Sequence, residues 1–87
     1  MTLAEDLQYL VNILGDDIKK LKYNEEHLLY RQSVLRERWD SLGENDAADD
    51  VGFSYIEVMS ERVCTQAQRE TLSRLQAILE RLIRENS

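Results

Sequence analysis

Leucines stand at positions 7, 14, 21, 28, 35 and 42, an unbroken interval of seven over the first half of the chain. A strict sevenfold repeat on an amphipathic helix gathers into one seam and drives left-handed coiled-coil packing. If the leucines take the d positions, the a positions are Ala4, Val11, Ile18, Glu25, Gln32 and Trp39. The seam is therefore apolar near the amino terminus and partly polar in the middle, where polar a residues cost stability and fix register. Thr2 and Glu5 form a capping box at its start. The 87 residues include no proline, so nothing obliges this helix to stop. The spacing predicts one helix over about 2–42. Gly15, followed by Asp16 and Asp17, offers an alternative break and restart, although the leucine phase passes through it unchanged.

Gly43 and Gly52 bracket a polar stretch and predict an acidic turn over about 43–53. Ser54 and Glu57 read as a second capping box, with Phe53 and Val58 as its hydrophobic staple. A second helix is expected over about 54–86; a start at Asp46, with Gly52 inside the helix, is the alternative. Its apolar and small residues, Phe53, Ile56, Ser60, Cys64, Ala67, Thr71, Leu75, Ile78 and Leu82, recur in steps of three, four and four. That is close to the undistorted helical period, and it predicts these nine as the inward face, widened by Leu72, Leu79 and Ile83 near the carboxyl end. The fold class is all-α: one domain, an antiparallel coiled-coil-like hairpin. Leu42 is expected near Phe53, Leu28 near Ala67 and Leu14 near Leu82. The open end then carries more apolar surface than two helices hide, which predicts dimerisation into a four-helix bundle through stem residues Leu7, Leu10, Leu14, Leu21, Leu79 and Leu82.

Charge is segregated along the chain. The formal net charge is −6, from 17 acids and 11 bases. Between Arg38 and Arg62 there is no base, while Asp40, Glu44, Asp46, Asp49, Asp50, Glu57 and Glu61 supply the acids. A hairpin places this segment at its tip, and an acidic tip is the wrong sign for direct nucleic-acid or anionic-membrane binding. The absence of a long apolar run or a basic leader leads to a cytoplasmic expectation. The single Cys64 and single His27 provide neither an internal disulfide nor a zinc set. Cys64 is expected in the core, and Tyr9, Tyr23, Tyr30 and Tyr55 at its edge. No phosphate loop, nucleophile elbow or cysteine–histidine pair is present, so no enzyme, cofactor or metal is expected. The residues assigned to partner binding are Glu44, Asp46, Asp49 and Asp50, with Trp39 one turn before them as either an aromatic anchor or the end of the core.

The run Asp46-Ala47-Ala48-Asp49-Asp50-Val51 is similar to the Asp-x-Ala-Asp-x-Ala tip of the DksA/TraR coiled-coil hairpins, with Val51 in place of the last alanine. Leu72, Leu75, Leu79, Arg81 and Leu82 follow the spacing of that family's second helix. The architecture also resembles that of Gre-type factors. The resemblance implies a regulator that enters the secondary channel of bacterial RNA polymerase, with Asp46 and Asp49 reaching toward its catalytic magnesium. The sequence departs from both families in having neither a zinc-binding nor a β-rich globular part. The expected function is a non-enzymatic interaction module that presents an acidic tip to a basic protein surface, RNA polymerase being one such surface. Alternatives are a self-associating scaffold or chaperone, and a phage-type inhibitor that mimics nucleic-acid charge.

Overall fold

The computed structural model describes residues 2–86 and consists of two helices, α1 (Leu3–Leu42) and α2 (Asp46–Glu85), folded back on one another as an all-α antiparallel hairpin. The molecule is a rod of 63 × 14 × 14 Å. No described helix is long and apolar enough to cross a membrane. Helix α1 runs unbroken through Gly15. The Thr2 hydroxyl accepts from the Glu5 amide at 3.2 Å, the first half of the expected capping box. Every residue at an a or d position of α1, from Ala4 to Leu42, is buried or half-buried, so the sevenfold seam is the inward face.

The second helix corrects the sequence reading twice. It begins at Asp46, eight residues before the expected start, and the turn is only Gly43, Glu44 and Asn45. Gly43 adopts φ 71°, a left-handed conformation that glycine enters without steric cost. Asn45 then works in both directions. Its Oδ1 accepts from the Ala48 amide at 2.9 Å, and its Nδ2 donates to the Leu42 carbonyl at 2.8 Å. One side chain thus satisfies an orphan donor of α2 and an orphan acceptor of α1, which Ser54 and Glu57 cannot do from inside the helix. Replacing Asn45 by Ala is expected to cost about 1–2 kcal/mol, measured as a lower urea midpoint with an unchanged slope.

The rotation of α2 is the second correction. All nine residues of the three-four-four pattern, Cys64 included, are exposed. The inward face instead repeats every seven: Ala48, Tyr55, Arg62, Arg69, Gln76 and Ile83, flanked by Val51, Val58, Thr65, Leu72 and Leu79. This face is more polar than the one left outside, and the reason lies in α1. Glu25 and Gln32 occupy its seam and need partners once half-buried. The Arg69 Nε donates to the Glu25 carboxylate at 2.6 Å, and the Arg62 Nε donates to the Gln32 Oε1 at 2.8 Å. Further along, the Gln76 amide donates to the Val11 carbonyl at 3.2 Å. The hydrogen bond to Glu25 holds the Arg69 guanidinium above its ordinary pKa.

Among the described residues the buried apolar side chains are Val11, Leu28, Ala48 and Val58. The core is a thin line rather than a layer, as two helices alone allow. Gly52 is also buried. A Cβ there would lie 3.0 Å from the Trp39 ring, so the glycine lets the indole approach the α2 backbone closely.

Candidate functional site

The tip is built by the turn just described. Glu44 precedes the cap, and Asp46 and Asp49 lie in the first turn of α2, where carboxylates favour the positive end of the helix dipole. Glu44, Asp46, Asp49 and Asp50 are all exposed. Beneath them Ala48 is 2% exposed, because it is packed inward. Trp39 is half-buried: its ring lies 5.7 Å from that of Tyr55, and the Arg36 guanidinium sits 5.4 Å from its centroid. Arg36 also reaches Asp40 at 3.4 Å. Of the two roles open to Trp39, the packing describes the end of the core. One edge remains accessible in a shallow groove with Asp49, Phe53 and Ile56. The structure therefore brings the assigned tip residues together as a convex acidic cap on a rigid base.

The chemistry available there is limited by shape. The carboxylates stand in water on a convex surface, whereas acid–base catalysis needs a partly dry pocket to move their protonation equilibria. Among the described residues no group of three or more His, Cys, Asp or Glu side chains is placed to hold a metal ion. What the cap does supply is a concentrated negative field, most effective toward a cationic surface and weakened by salt.

The stem residues assigned to self-association divide. Leu7, Leu14, Leu21 and Leu79 are half-buried in the seam between α1 and α2, and are occupied within the hairpin; Leu10 and Leu82 are exposed. Tyr55 lies inward, but Tyr9, Tyr23 and Tyr30 are 64–70% exposed, not at the core edge. The surface that sequence reasoning assigned to the core is the outer side of α2, running from Phe53 to Leu82 on the face turned from α1. Phe53, Ile56, Leu75, Ile78 and Leu82 are its large members, with Val63 beside them, and each is at least 38% exposed. The large side chains stand at the two ends of this stripe, with Ser60, Cys64, Ala67 and Thr71 between them. The signal that separates the two faces was present in the sequence. Arg62 and Arg69, seven apart, mirror Glu25 and Gln32, also seven apart, when the chain is folded back on itself.

No family model, curated protein or solved structure matches the chain.

Proposed function

We propose that this chain is a non-enzymatic interaction module, a stiff helical rod that presents an acidic cap to a basic surface on a partner protein. The observation that carries the reading is the construction of the tip. Asn45 clips the two helix ends together through bonds of 2.8 and 2.9 Å, so the backbone that carries the exposed carboxylates of Glu44, Asp46, Asp49 and Asp50 is fixed in place. Preorganised charge recognises a partner without the ordering cost that a loose acidic loop incurs. The specific partner proposed from the tip motif is bacterial RNA polymerase, entered through its secondary channel. The Cα atoms of the chain span 63 Å along the rod, so the tip stands far from the open end.

The test is binding to purified core RNA polymerase at low and moderate salt, comparing the wild type with an Asp46→Asn, Asp49→Asn, Asp50→Asn variant. The variant is expected to bind at least about tenfold more weakly, equivalent to about 1.4 kcal/mol, and to lose most of the salt dependence. Equal binding by both proteins would remove the tip from the recognition surface. No binding by the wild type would remove polymerase as the partner.

A further inference from the structure

The seam between the helices runs the length of α1, yet a second stripe, from Phe53 to Leu82, is left outside on α2. Its arrangement along α2 indicates what covers it. The large residues lie at the two ends, Phe53 and Ile56 toward the tip and Leu75, Ile78 and Leu82 toward the open end. Ser60, Cys64, Ala67 and Thr71 lie between them. Steps of three, four and four give an eleven-residue repeat of about 3.67 residues per turn, which keeps the stripe nearly straight on the helix. Reversed about Ala67, the stripe falls on itself. Phe53 then stands opposite Leu82 of a second copy, Ile56 opposite Ile78, Ser60 opposite Leu75, Cys64 opposite Thr71, and Ala67 opposite itself. Small side chains at the centre admit close approach of the two backbones, and large ones close both ends.

Charge selects the direction. Residues 46–61 of α2 carry five acids and no base, whereas 62–85 carry five arginines and three acids. Arg62 and Arg69 turn into the hairpin seam, so the exposed charges of the second half are Arg74, Arg81 and Arg84 balanced by Glu70, Glu80 and Glu85, with Arg81 and Glu85 bonded to each other at 3.0 Å. A parallel pair would place one acidic half beside the other. An antiparallel pair places each acidic half beside an arginine-bearing one and opposes the helix dipoles. Helix α1 also leaves apolar residues outside, Tyr9, Ile13, Tyr23, Tyr30 and Val34, along one face, but that face is interrupted by the exposed Asp16, Lys20 and His27.

We infer that the occupant of this face is a second copy of the chain, and that the protein is an antiparallel dimer joined by α2 against α2 with its two-fold axis at Ala67. Such an interface is isologous, the same patch on both protomers, and therefore closes at two. It differs from an interface through the stem leucines, which the hairpin already uses. It extends the proposed function by setting the two acidic tips at opposite ends of one rod, so that the dimer is bivalent; the interface itself stands independently of what the tips bind.

The register is read by cysteine cross-linking. In the antiparallel dimer the two Cys64 residues are offset by seven residues, about 10 Å along the axis, too far for a disulfide. Under a mild oxidant the wild type is expected to remain uncross-linked. A Phe53→Cys, Cys64→Ser chain mixed with a Leu82→Cys, Cys64→Ser chain is expected to give a mixed disulfide that neither gives alone. Self-cross-linking of the Phe53→Cys chain would establish a parallel pair, and that of native Cys64 a parallel pair or an axis displaced from Ala67; either would overturn the inference. Sedimentation equilibrium supplies the second measurement. The wild type is expected at twice the chain mass, and Ala67→Glu, which sets two carboxylates face to face on the axis, at the chain mass with its helical circular dichroism intact. A wild type that is monomeric throughout, or an Ala67→Glu protein that is still dimeric, would likewise overturn it. An Asp50→Asn chain keeps the whole apolar stripe and four of the five acids of 46–61, so it should still dimerise, and failure of the tip proposal and failure of this one are separate results.

Discussion

Replacing Leu28 by Ala is expected to remove about 2–5 kcal/mol of stability and to leave the chain largely unfolded at moderate temperature. Leu28 is 8% exposed and lies between the two polar contacts of the seam, Glu25 with Arg69 on one side and Gln32 with Arg62 on the other. Its side chain excludes water from both. The truncation loses apolar burial and also exposes hydrogen bonds whose strength depends on that exclusion. Few buried side chains exist to absorb the loss, and a domain of this size has only about 5–15 kcal/mol in total. The neighbouring Leu29→Ala is the control. Leu29 is 44% exposed, and its truncation is expected to change stability by about 0.5 kcal/mol or less. Urea unfolding of both variants at one protein concentration separates the cases. Equal losses would mean that the seam is not what holds the hairpin.

The architecture was legible in the sequence to the extent that it followed from period. Six leucines at intervals of seven mark the inward face of α1 without ambiguity, and the same phase argues correctly that Gly15 does not break the helix. The reversal of the chain was also readable from Gly43 and the polar residues after it, and among the described residues Gly43 alone takes a positive φ. The start of α2 was not. Ser54 with Glu57 and Asn45 with Ala48 are both capping patterns, and only the position of the Leu42 carbonyl, which Asn45 reaches and Ser54 does not, decides between them. The face of α2 was misread for a different reason. Hydrophobic periodicity selects the most apolar face of a helix in isolation, whereas the inward face is selected by the partner helix. Here the partner presents Glu25 and Gln32, and a polar stripe satisfies them where an apolar one would bury them unpaired.

The tip was legible as a composition and not as a structure. The acids between Arg38 and Arg62 read as one patch, but the fold separates them by role. Asp46 and Asp49 also stabilise the first turn of α2, while Asp40 belongs to the end of α1 and is paired with Arg36. A substitution at Asp46 or Asp49 therefore changes helix stability as well as surface charge. Asp50, exposed and beyond the first turn, reports surface charge more cleanly. Binding by Asp50→Asn alone, compared with the triple variant, separates the two contributions.

If the polar contacts of the seam choose which side of α2 turns inward, replacing both Glu25 and Gln32 by Leu should turn the helix over. The variant seam of α1 is apolar at every a and d position, so Arg62 and Arg69 lose their partners and are better placed in water. The stripe from Phe53 to Leu82 then packs against the leucines in their stead, at nearly the same axial alignment, since the short turn held by Asn45 fixes how far the helices slide. Cys64, the single thiol of the chain, reports the rotation directly. It is exposed in the wild type and should react freely with a thiol reagent in protein diluted to its monomer. In the variant it should lie between the helices and react at least about tenfold more slowly, a change of about 1.4 kcal/mol in exposure free energy. An unchanged rate would show that the orientation of α2 is set elsewhere, with the close fit of Gly52 to Trp39 the remaining determinant. A protected thiol would show that two pairs of polar side chains keep an apolar face on the outside of this protein, where a second chain can reach it.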